Sequence, residues 1–558
     1  MKYKGKRNNL LDYFICYNGI SYYFHTFTSN SDAMKKILII LFFTTLNMQA
    51  QTEDAWVYFV DKADVANYIA NPLTMLTQRA IDRRAAQGIA IDYIDVPINP
   101  NYINLITSNS GITVMAKSKW LNALHVRGTE ADIRALKTTF SFIDYIDFAN
   151  HNLANARSTT TVAYQNKWDT TITYNYGGSG NQVTMLGVDT LHQQNFTGSG
   201  KIIAVMDAGF PNVDIVAAFD NIRNNGQILG TYDFVDREIN VYGDHYHGTM
   251  VLSTIAGFVD GELVGTAPDA QFYLFRTEDA ATENPVEESY WVEAAEEADR
   301  LGADILSTSL GYTTYDNPDY SHTYAELDGQ TAFMTRGAEI AFSRGMVVVN
   351  SAGNSGSAAW HYIGVPADAP SVLAIGAVDA NENITSFSSW GPSADGRIKP
   401  DVCAKGGGAT VVNTSGNVQL ASGTSFSGPI MSGAIASLWQ AFPNKTNAEI
   451  VQMVKEAAHL YNNPDNHYGY GIPNFAQLLR VETPNNNVFQ IYPNPATDKL
   501  HFIQLTNTDI PVSLYDNTGR LILGKTINLT NNTLDVSNLS KGIYILKTEY
   551  KSFKILKK

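Results

Sequence analysis

The stretch from Ser422 to Pro429 carries the residues best suited to chemistry in this chain. It is small and polar, and the apolar residues Ile430, Ala434 and Leu438 follow it, so we predict a tight loop leading into a buried helix. Ser425 would then lie at the helix N-terminus, where free N–H groups and the helix dipole favour negative charge. A serine alkoxide and the oxyanion that it creates at a carbonyl both need that placement. An ordinary serine-rich helix cap is the competing interpretation.

A nucleophilic serine requires a base, a group that orients the base and a second oxyanion donor. Asp207 directly follows an apolar run at 201–206, and Asn354 follows another at 346–349. The Asn354 side chain, on backbone flanked by glycine, is suited to donate to an oxyanion. Both positions are equally typical of plain turns.

The candidate base is His247, which precedes Gly248 and a run of small and apolar residues. Asp244, His245 and His247 together are also compatible with a metal cluster. No further ligand follows at helical or zinc-finger spacing, so the metal motif is incomplete.

The elements that must position these residues alternate between short apolar runs and helical patterns. Runs at 201–206, 304–307 and 346–349 predict buried strands, and 335–344 predicts a helix. Such alternation is typical of an α/β fold, in which a parallel sheet has helices on both faces. Functional residues collect at the carboxyl ends of the strands in such sheets.

Asp207, His247 and Ser425 occur in one of the chain orders that convergent catalytic triads use. At this point the segment from about 180 to 480 resembles the subtilisin-like serine proteases. The resemblance depends on these landmarks: Asp207-Ala208-Gly209, His247-Gly248-Thr249, Gly265 to Pro268, Ser309-Leu310-Gly311, Ala352-Gly353-Asn354, Phe387 to Pro392, Lys399-Pro400-Asp401 and Gly423 to Pro429.

The resemblance implies a subtilisin-like fold and a secreted serine endopeptidase acting on proteins or peptides, with no cofactor required for the chemistry. It implies that Ser425 is the nucleophile, His247 the general base and Asp207 its orienting group, with Asn354 in the oxyanion hole. It also implies that substrate binds along Ser309, Leu310, Gly311, Ala352 and Gly353.

Three residues depart from the family pattern, and none removes a reacting group. Ala208 replaces the usual hydroxyl residue, so we expect the carboxylate of Asp207 to lose a supporting hydrogen bond. Met250 replaces a histidine that many members carry. Phe426 replaces the commoner methionine after the serine.

Two other functions stay open at this stage. An inactive family member could serve as a surface-binding scaffold, and the same triad could hydrolyse esters. A structural calcium ion is common in the family, and Asp316 and Asp319 offer suitable oxygen ligands. We favour solvated turn carboxylates at those two positions, and we assign no metal site.

Composition excludes several other classes. A chain of 558 residues needs more than one core. Its net charge of −15 argues against a nucleic-acid partner, which would require a basic face. Its two cysteines, Cys16 and Cys403, exclude a disulfide framework.

The N-terminal region predicts a targeting segment. Residues 34–50 have the basic, apolar and small-residue regions of a signal peptide. We expect translation to start at Met34 and residues 1–33 to be an annotation artefact. No other stretch is apolar and long enough to span a bilayer, so we expect no transmembrane segment in the mature protein.

Residues 52–157 predict a small α+β domain that resembles a subtilase propeptide. The resemblance implies a folding chaperone and intramolecular inhibitor, and we expect processing between Asn150 and Tyr174. The catalytic domain would then span 175–480, followed by a polar linker at 481–488.

Residues 489–558 predict a small antiparallel β-sandwich with alternating strands and turn signals. Tyr492 to Ala496, Gly519-Arg520, Leu539 to Tyr544 and the terminal Lys557-Lys558 resemble the C-terminal sorting domain of type IX secretion. The resemblance implies the type IX machinery as a partner and export across the outer membrane of a Gram-negative bacterium. A carbohydrate- or protein-binding module is the alternative.

Overall fold

The computed structural model describes residues 16–17, 20–21, 52–153, 174–479, 490–503, 509–516, 519–548 and 552–558. The predicted signal peptide, the linker at 481–488 and most of the predicted processing segment lie outside these residues. Within residues 1–51 the described part is an antiparallel pair, β1 (Cys16–Tyr17) and β2 (Ile20–Ser21). Residues 52–558 form a separate compact unit.

Residues 52–148 form a four-stranded antiparallel sheet with order β4-β5-β3-β6. In chain order the elements are β3 (Thr52–Phe59), α1 (Val65–Ala70), α2 (Gln78–Ala86), α3 (Pro100–Thr107), β4 (Ile112–Ser118), β5 (Ala123–Thr129), α4 (Glu130–Thr139) and β6 (Ile143–Phe148). Helix α4 begins after a capping threonine, because the Thr129 side chain accepts a hydrogen bond from the Asp132 N–H.

Strand β3 is buried on both of its faces. Ala55 and Val57 pack into the core of the 52–148 sheet and its helices. Trp56 and Tyr58, on the opposite face, join the core of residues 174–479. Because neighbouring strand residues point to opposite faces, one strand joins the two cores.

Residues 174–479 form a parallel sheet with helices on both faces, which confirms the predicted α/β class. In chain order its elements are α5 (Gly180–Thr184), α6 (Val188–Gln193), β7 (Ile202–Asp207), α7 (Asp220–Asn224), β8 (Ile228–Asp233), α8 (His247–Ala256), β9 (Phe258–Val259), β10 (Leu263–Val264), β11 (Gln271–Arg276), α9 (Val286–Leu301), β12 (Ile305–Thr308), α10 (Phe333–Ser343), β13 (Val347–Ser351), β14 (Leu373–Val378), β15 (Val402–Lys405), β16 (Ala409–Val412), β17 (Val418–Ala421), α11 (Thr424–Ala441) and α12 (Asn447–Glu456).

The main sheet has seven strands in the order β15-β14-β13-β12-β7-β11-β8, all parallel. The sequence predicts β7, β12 and β13, and the structure confirms them. From β7 the chain first builds β8 and β11 on one side and then β12 to β15 on the other. The order of strand addition therefore reverses at β7. The carboxyl end of β7 is a topological switch point, where α/β proteins bind their ligands.

Helix α11 packs against the main sheet and is buried along nearly all of its length. An apolar and small-residue surface on every side is typical of such a central helix. Pro429 lies inside this helix, beyond its first turn, since α11 begins at Thr424. The helix therefore lacks the N–H that would bond to the carbonyl of Ser425, four residues earlier.

The C-terminal residues form two antiparallel sheets that face each other across one core. The strands are β18 (Gln490–Tyr492), β19 (Lys499–Ile503), β20 (Ile510–Asp516), β21 (Leu521–Ile527), β22 (Thr533–Asp535), β23 (Gly542–Thr548) and β24 (Ser552–Lys557). Leu500 from the three-stranded sheet and Leu514 and Leu546 from the four-stranded sheet share this core. In the described part of the whole chain, no helix is both long and apolar enough to cross a membrane.

Candidate active site

Four neighbouring strands end beside one another at the switch point. Asp207 is the last residue of β7, Ser309 follows β12, and Asn354 follows β13 within a few residues. Glu278 follows β11, the neighbour of β7 on its other side. Parallel strands bring their carboxyl ends to one edge, so side chains far apart in the sequence meet there.

Helix α8 brings His247 to Asp207. The Nδ1 atom of His247 lies 2.8 Å from Oδ1 of Asp207. A Cβ on Gly248 would lie 2.3 Å from the Gly209 carbonyl oxygen and 2.9 Å from Cβ of Asp207, so only glycine permits this close approach. Because a carboxylate accepts, Nδ1 donates and Nε2 is left with its lone pair.

The electrostatics of this pair raise the pKa of the imidazole. Burial opposes the imidazolium of His247, but the charge of Asp207 and its hydrogen bond outweigh burial and raise the pKa of His247. Asp207 is fully buried, and its Oδ1 also accepts from the Ala208 N–H at 2.8 Å. Its Oδ2 is buried without a hydrogen-bond partner among the described residues, as expected from the missing hydroxyl at Ala208.

Ser425 is the second residue of α11 and is 9% exposed. The hydroxyl of Ser309 donates to its backbone carbonyl at 3.0 Å, in the place of the N–H that Pro429 lacks. The Ser425 hydroxyl in turn donates to the carbonyl of Ser309 at 3.4 Å. Within the described residues no hydrogen bond joins Ser425 to His247, but both line one cleft of about 270 Å³.

Thr424 fixes the side chain of Asn354 in this cleft. The Thr424 N–H donates to Oδ1 of Asn354 at 2.9 Å, and the Thr424 hydroxyl does so at 3.1 Å. Since a backbone N–H can only donate, the amide oxygen of Asn354 must face Thr424. Nδ2 of Asn354 is therefore left to donate elsewhere.

The predicted substrate-binding residues Ser309, Leu310, Gly311, Ala352 and Gly353 all line the cleft. The backbone groups of Gly311 bond to no other described residue. Gly353 differs, since its N–H donates to the Thr424 hydroxyl and its carbonyl accepts from the Ser389 N–H. Of the two glycines, Gly311 is therefore the one whose backbone groups can pair with a peptide.

One side of the cleft is acidic, and its residues were not predicted from the sequence. Glu278 and Glu283 line it beside Tyr312, whose hydroxyl is buried without a hydrogen-bond partner in the described chain. Burial, followed by the nearby charge of Asp207, raises the pKa of Glu278 to about 7. Burial and the charge of Asp316 raise the pKa of Glu283 to about 7 as well. Recognising β11 would have placed Glu278 at a strand end, but that strand was not predicted.

The sequence offered two sets of possible metal ligands, Asp244 with His245 and His247, and Asp316 with Asp319. Among the described residues, Asp244, His245 and His247 do not form a group of ligands, and His247 is bonded to Asp207. Asp316 accepts a hydrogen bond from the Glu283 N–H and belongs to no described group of three metal-ligating side chains. That Asp316 and Asp319 are solvated turn carboxylates, not calcium ligands, stays a prediction.

A parallel sheet with a buried central helix, a His and a Ser that line one cleft, and a buried Asp bonded to that His is the arrangement of subtilisin-like peptidases. The model of the subtilase family of peptidases (S8) matches residues 198–471. Subtilisin E of Bacillus subtilis (strain 168) is 30% identical over 295 residues, which are 52% of this chain and 69% of that protein. Subtilisin of Bacillus pumilus is also 30% identical, over 52% of this chain and 95% of its own length.

The chain belongs to the subtilase family and is a subtilisin-like serine peptidase. Serine protease AprX of Bacillus subtilis (strain 168) is 29% identical over 312 residues, which are 50% of this chain and 66% of that protein. A crystal structure of MycP1 with its N-terminal propeptide removed covers 55% of this chain and 98% of its own, at 24% identity and a TM-score of 0.43.

Two further family models flank the peptidase match. The peptidase S8 propeptide domain of Bacteroidota matches residues 54–166, and the secretion system C-terminal sorting domain matches 490–558. Together they confirm the predicted propeptide and sorting domain and indicate export across the outer membrane, to the medium or the cell surface.

Proposed function

We propose that this subtilase is an endopeptidase that hydrolyses peptide bonds through Asp207, His247 and Ser425, with Asn354 in the oxyanion hole. The observation that carries the proposal is the 2.8 Å contact between His247 Nδ1 and Asp207, which leaves Nε2 free in the cleft that also holds Ser425. A base oriented in this way, beside a serine at a helix N-terminus, is the arrangement that acyl transfer requires.

In the proposed reaction, substrate binding turns the Ser425 hydroxyl from the Ser309 carbonyl towards Nε2 of His247. Ser425 Oγ attacks the scissile carbonyl, and its proton passes to Nε2. The imidazolium, stabilised by Asp207, then protonates the leaving amine. Water then attacks the acyl group on Ser425 in the same way, with His247 again as the base, and releases it.

The oxyanion would be held by two donors, the Ser425 N–H and Nδ2 of Asn354. Thr424 occupies the amide oxygen of Asn354, so the donor is oriented before substrate arrives. One such preorganised donor contributes about 3–4 kcal/mol to the stability of the transition state.

We propose further that an extended peptide pairs with the backbone at Gly311 as an added strand, which favours unfolded or loop substrates. The domain that we assign to 52–157 would act as an intramolecular inhibitor until cleavage between Asn150 and Tyr174. Its docking on the catalytic domain, which we assign to 175–480, supports this role. The Trp56 ring stacks on Phe333 at 4.9 Å, and its Nε1 donates to Ser289 at 2.8 Å.

The test combines intact-mass measurement with digestion of a peptide library by the full-length chain. We expect Ser425→Ala to keep its full mass and to cleave nothing, whereas the exposed control Ser415→Ala processes itself and cleaves as the wild type does. Self-processing and library cleavage by Ser425→Ala would contradict the proposal. A wild-type protein that hydrolyses short acyl esters but no peptide would instead be an esterase.

A further inference from the structure

Three metal-ligating side chains meet where residues 52–153 contact the peptidase. His151 follows β6, and His322 and Glu326 lie in the segment between β12 and α10. One ligand atom from each of the three lies within 4.8 Å of the others. The backbone N–H of His151 also donates to the Asp319 carbonyl at 3.1 Å, which fixes the position of the histidine on this segment.

Each histidine uses one ring nitrogen for orientation. Nε2 of His151 donates to the Tyr320 carbonyl at 3.0 Å, and its Nδ1 lies 2.9 Å from Oε1 of Glu326. Nε2 of His322 lies 2.9 Å from Oε1 of Glu288. Since Nε2 of each histidine faces a carbonyl or a carboxylate, Nδ1 is the atom that would bind a metal. In His151 the metal would replace the proton between Nδ1 and Oε1 of Glu326.

His322 supplies the observation that most strongly indicates a ligand. Its side chain is only 7% exposed, and its Nδ1 is buried without a hydrogen-bond partner among the described residues. An unpaired buried polar atom costs about 1–3 kcal/mol. The carboxylate of Glu288 is already occupied, since it also accepts from the Tyr315 hydroxyl at 2.7 Å and the Met334 N–H at 2.9 Å.

Glu326 is oriented in the same way. Its Oε2 accepts from the backbone N–H and the hydroxyl of Thr323, at 2.7 and 2.9 Å. This leaves Oε1 on the side of His151. All three candidate ligands are thus held by their second atoms, which is the outer-shell arrangement typical of metal sites.

We propose that His151, His322 and Glu326 bind a zinc ion that joins the propeptide to the peptidase. Two imidazoles and a carboxylate are a common zinc ligand set, whereas calcium requires oxygen ligands. Ligands at 2.0–2.2 Å from a tetrahedral zinc lie about 3.4 Å apart, so the group needs only small shifts. The adjoining cavity of about 540 Å³ has room for a water molecule as fourth ligand.

A zinc ion would reach this site from solvent, and its binding would stabilise the docked domains. The side chain of His151 is 33% exposed, so the site opens to solvent. Because His151 comes from one domain and the other two ligands from the other, zinc binds tightly only while both are docked. By linkage, zinc must then stabilise the docked state.

The test uses full-length Ser425→Ala protein, verified as intact by mass spectrometry, with Zn²⁺ as the probe. The metal content after gel filtration, the zinc affinity by titration and the shift in Tm with zinc are measured. The same measurements are made after adding His151→Ala or Glu326→Gln. The matched control is His467→Ala, which removes an exposed histidine outside the site.

We expect one zinc per chain, a Tm raised by zinc, and visible absorption bands when Co²⁺ replaces zinc. His151→Ala and Glu326→Gln should each weaken zinc binding by at least tenfold and abolish the Tm shift, whereas His467→Ala should change neither. Folded protein that retains no zinc would show that His151 and Glu326 form only an ion pair. Equal zinc affinity in His151→Ala and His467→Ala would place the metal elsewhere, and either result overturns the proposal.

Discussion

In the proposed mechanism, Thr424 and Ser309 position the reacting groups without reacting themselves. Thr424 holds the amide oxygen of Asn354, and the hydroxyl of Ser309 occupies the carbonyl of Ser425 that Pro429 leaves free. Under this proposal, residues with no reactive role set which atoms of Asn354 and Ser425 would face the substrate.

Replacing the buried carboxylate tests the orientation of the base. In Asp207→Asn the amide can donate to Nδ1 of His247, which moves the imidazole proton to Nε2 and gives the wrong tautomer. We expect kcat on a peptide substrate to fall by about 10⁴-fold. KM should change little because Asp207 is fully buried. A loss below tenfold, or an equal loss in the exposed control Asp260→Asn, would contradict this role.

The acidic side of the cleft predicts a shift in pH dependence. The charge of Glu278 contributes to the raised pKa of His247, and proton abstraction requires neutral His247. Glu278→Gln should therefore lower the pKa of His247 and move the acid limb of kcat/KM to lower pH. The effect depends on ionised Glu278, whose pKa is about 7. An acid limb that stays in place, or moves as far in Glu456→Gln, would show that Glu278 does not act on His247.

Single residues differ in how far the sequence predicts them. Asp207, His247, Asn354 and Ser425 lie in short motifs that need no knowledge of the fold. Glu278 and Tyr312 reach the same cleft only because the sheet places β11 and β12 beside β7. A contact between strands is invisible in a local pattern, so neither residue was predicted.

At the scale of elements, the sequence pattern of α2 does not reveal that this helix docks on the peptidase. Its arginines predict only a charged helix, but Arg84 is fully buried between Asp95 and Asp299, at 2.6 and 2.5 Å. Arg83 lies 2.6 Å from Asp299 as well. Paired buried charges of this kind are costly to separate, because each would leave an unpaired partner. Asp299 lies more than 200 residues from both arginines, so periodicity alone could not identify it as their partner.

Glu296 on α9 offers a test of the same interface. Its carboxylate accepts from the Ser118 hydroxyl and from the backbone N–H groups of Lys119 and Trp120, at 2.6, 3.0 and 2.9 Å. Glu296→Ala should leave these donors unpaired and weaken docking at least tenfold. The measurement is co-elution of the cleaved propeptide with the peptidase on gel filtration. The control is Glu456→Ala.

The pH dependence of docking follows from the same residue. Burial raises the pKa of Glu296 to about 7. A pKa raised above its ordinary value means that Glu296 favours docking at low pH and that this contribution is lost as the pH rises towards 7. This pH dependence should be smaller in Glu296→Ala than in Glu456→Ala. Unchanged docking and pH dependence in Glu296→Ala would show that the contact contributes nothing.

At the scale of the whole molecule, the sorting domain has its own hydrophobic core. Its buried residues, among them Leu500, Leu514 and Leu546, form a cluster separate from the peptidase core. A chain that ends before residue 490 should therefore fold but should not be exported across the outer membrane. Cell fractionation measures this, with full-length Ser425→Ala as the exported control. Export of the truncated chain at the normal level would contradict the role of this domain.

The central claim is that Ser425 is the nucleophile of a working peptidase, and active-site labelling tests it most directly. Processed enzyme would be treated with a fluorophosphonate probe, digested, and analysed by mass spectrometry while residual peptidase activity is followed. We expect one adduct per chain, on Ser425, formed in parallel with the loss of activity. Processed protein that cleaves peptides while Ser425 stays unmodified, or while the adduct forms on another residue, would contradict it.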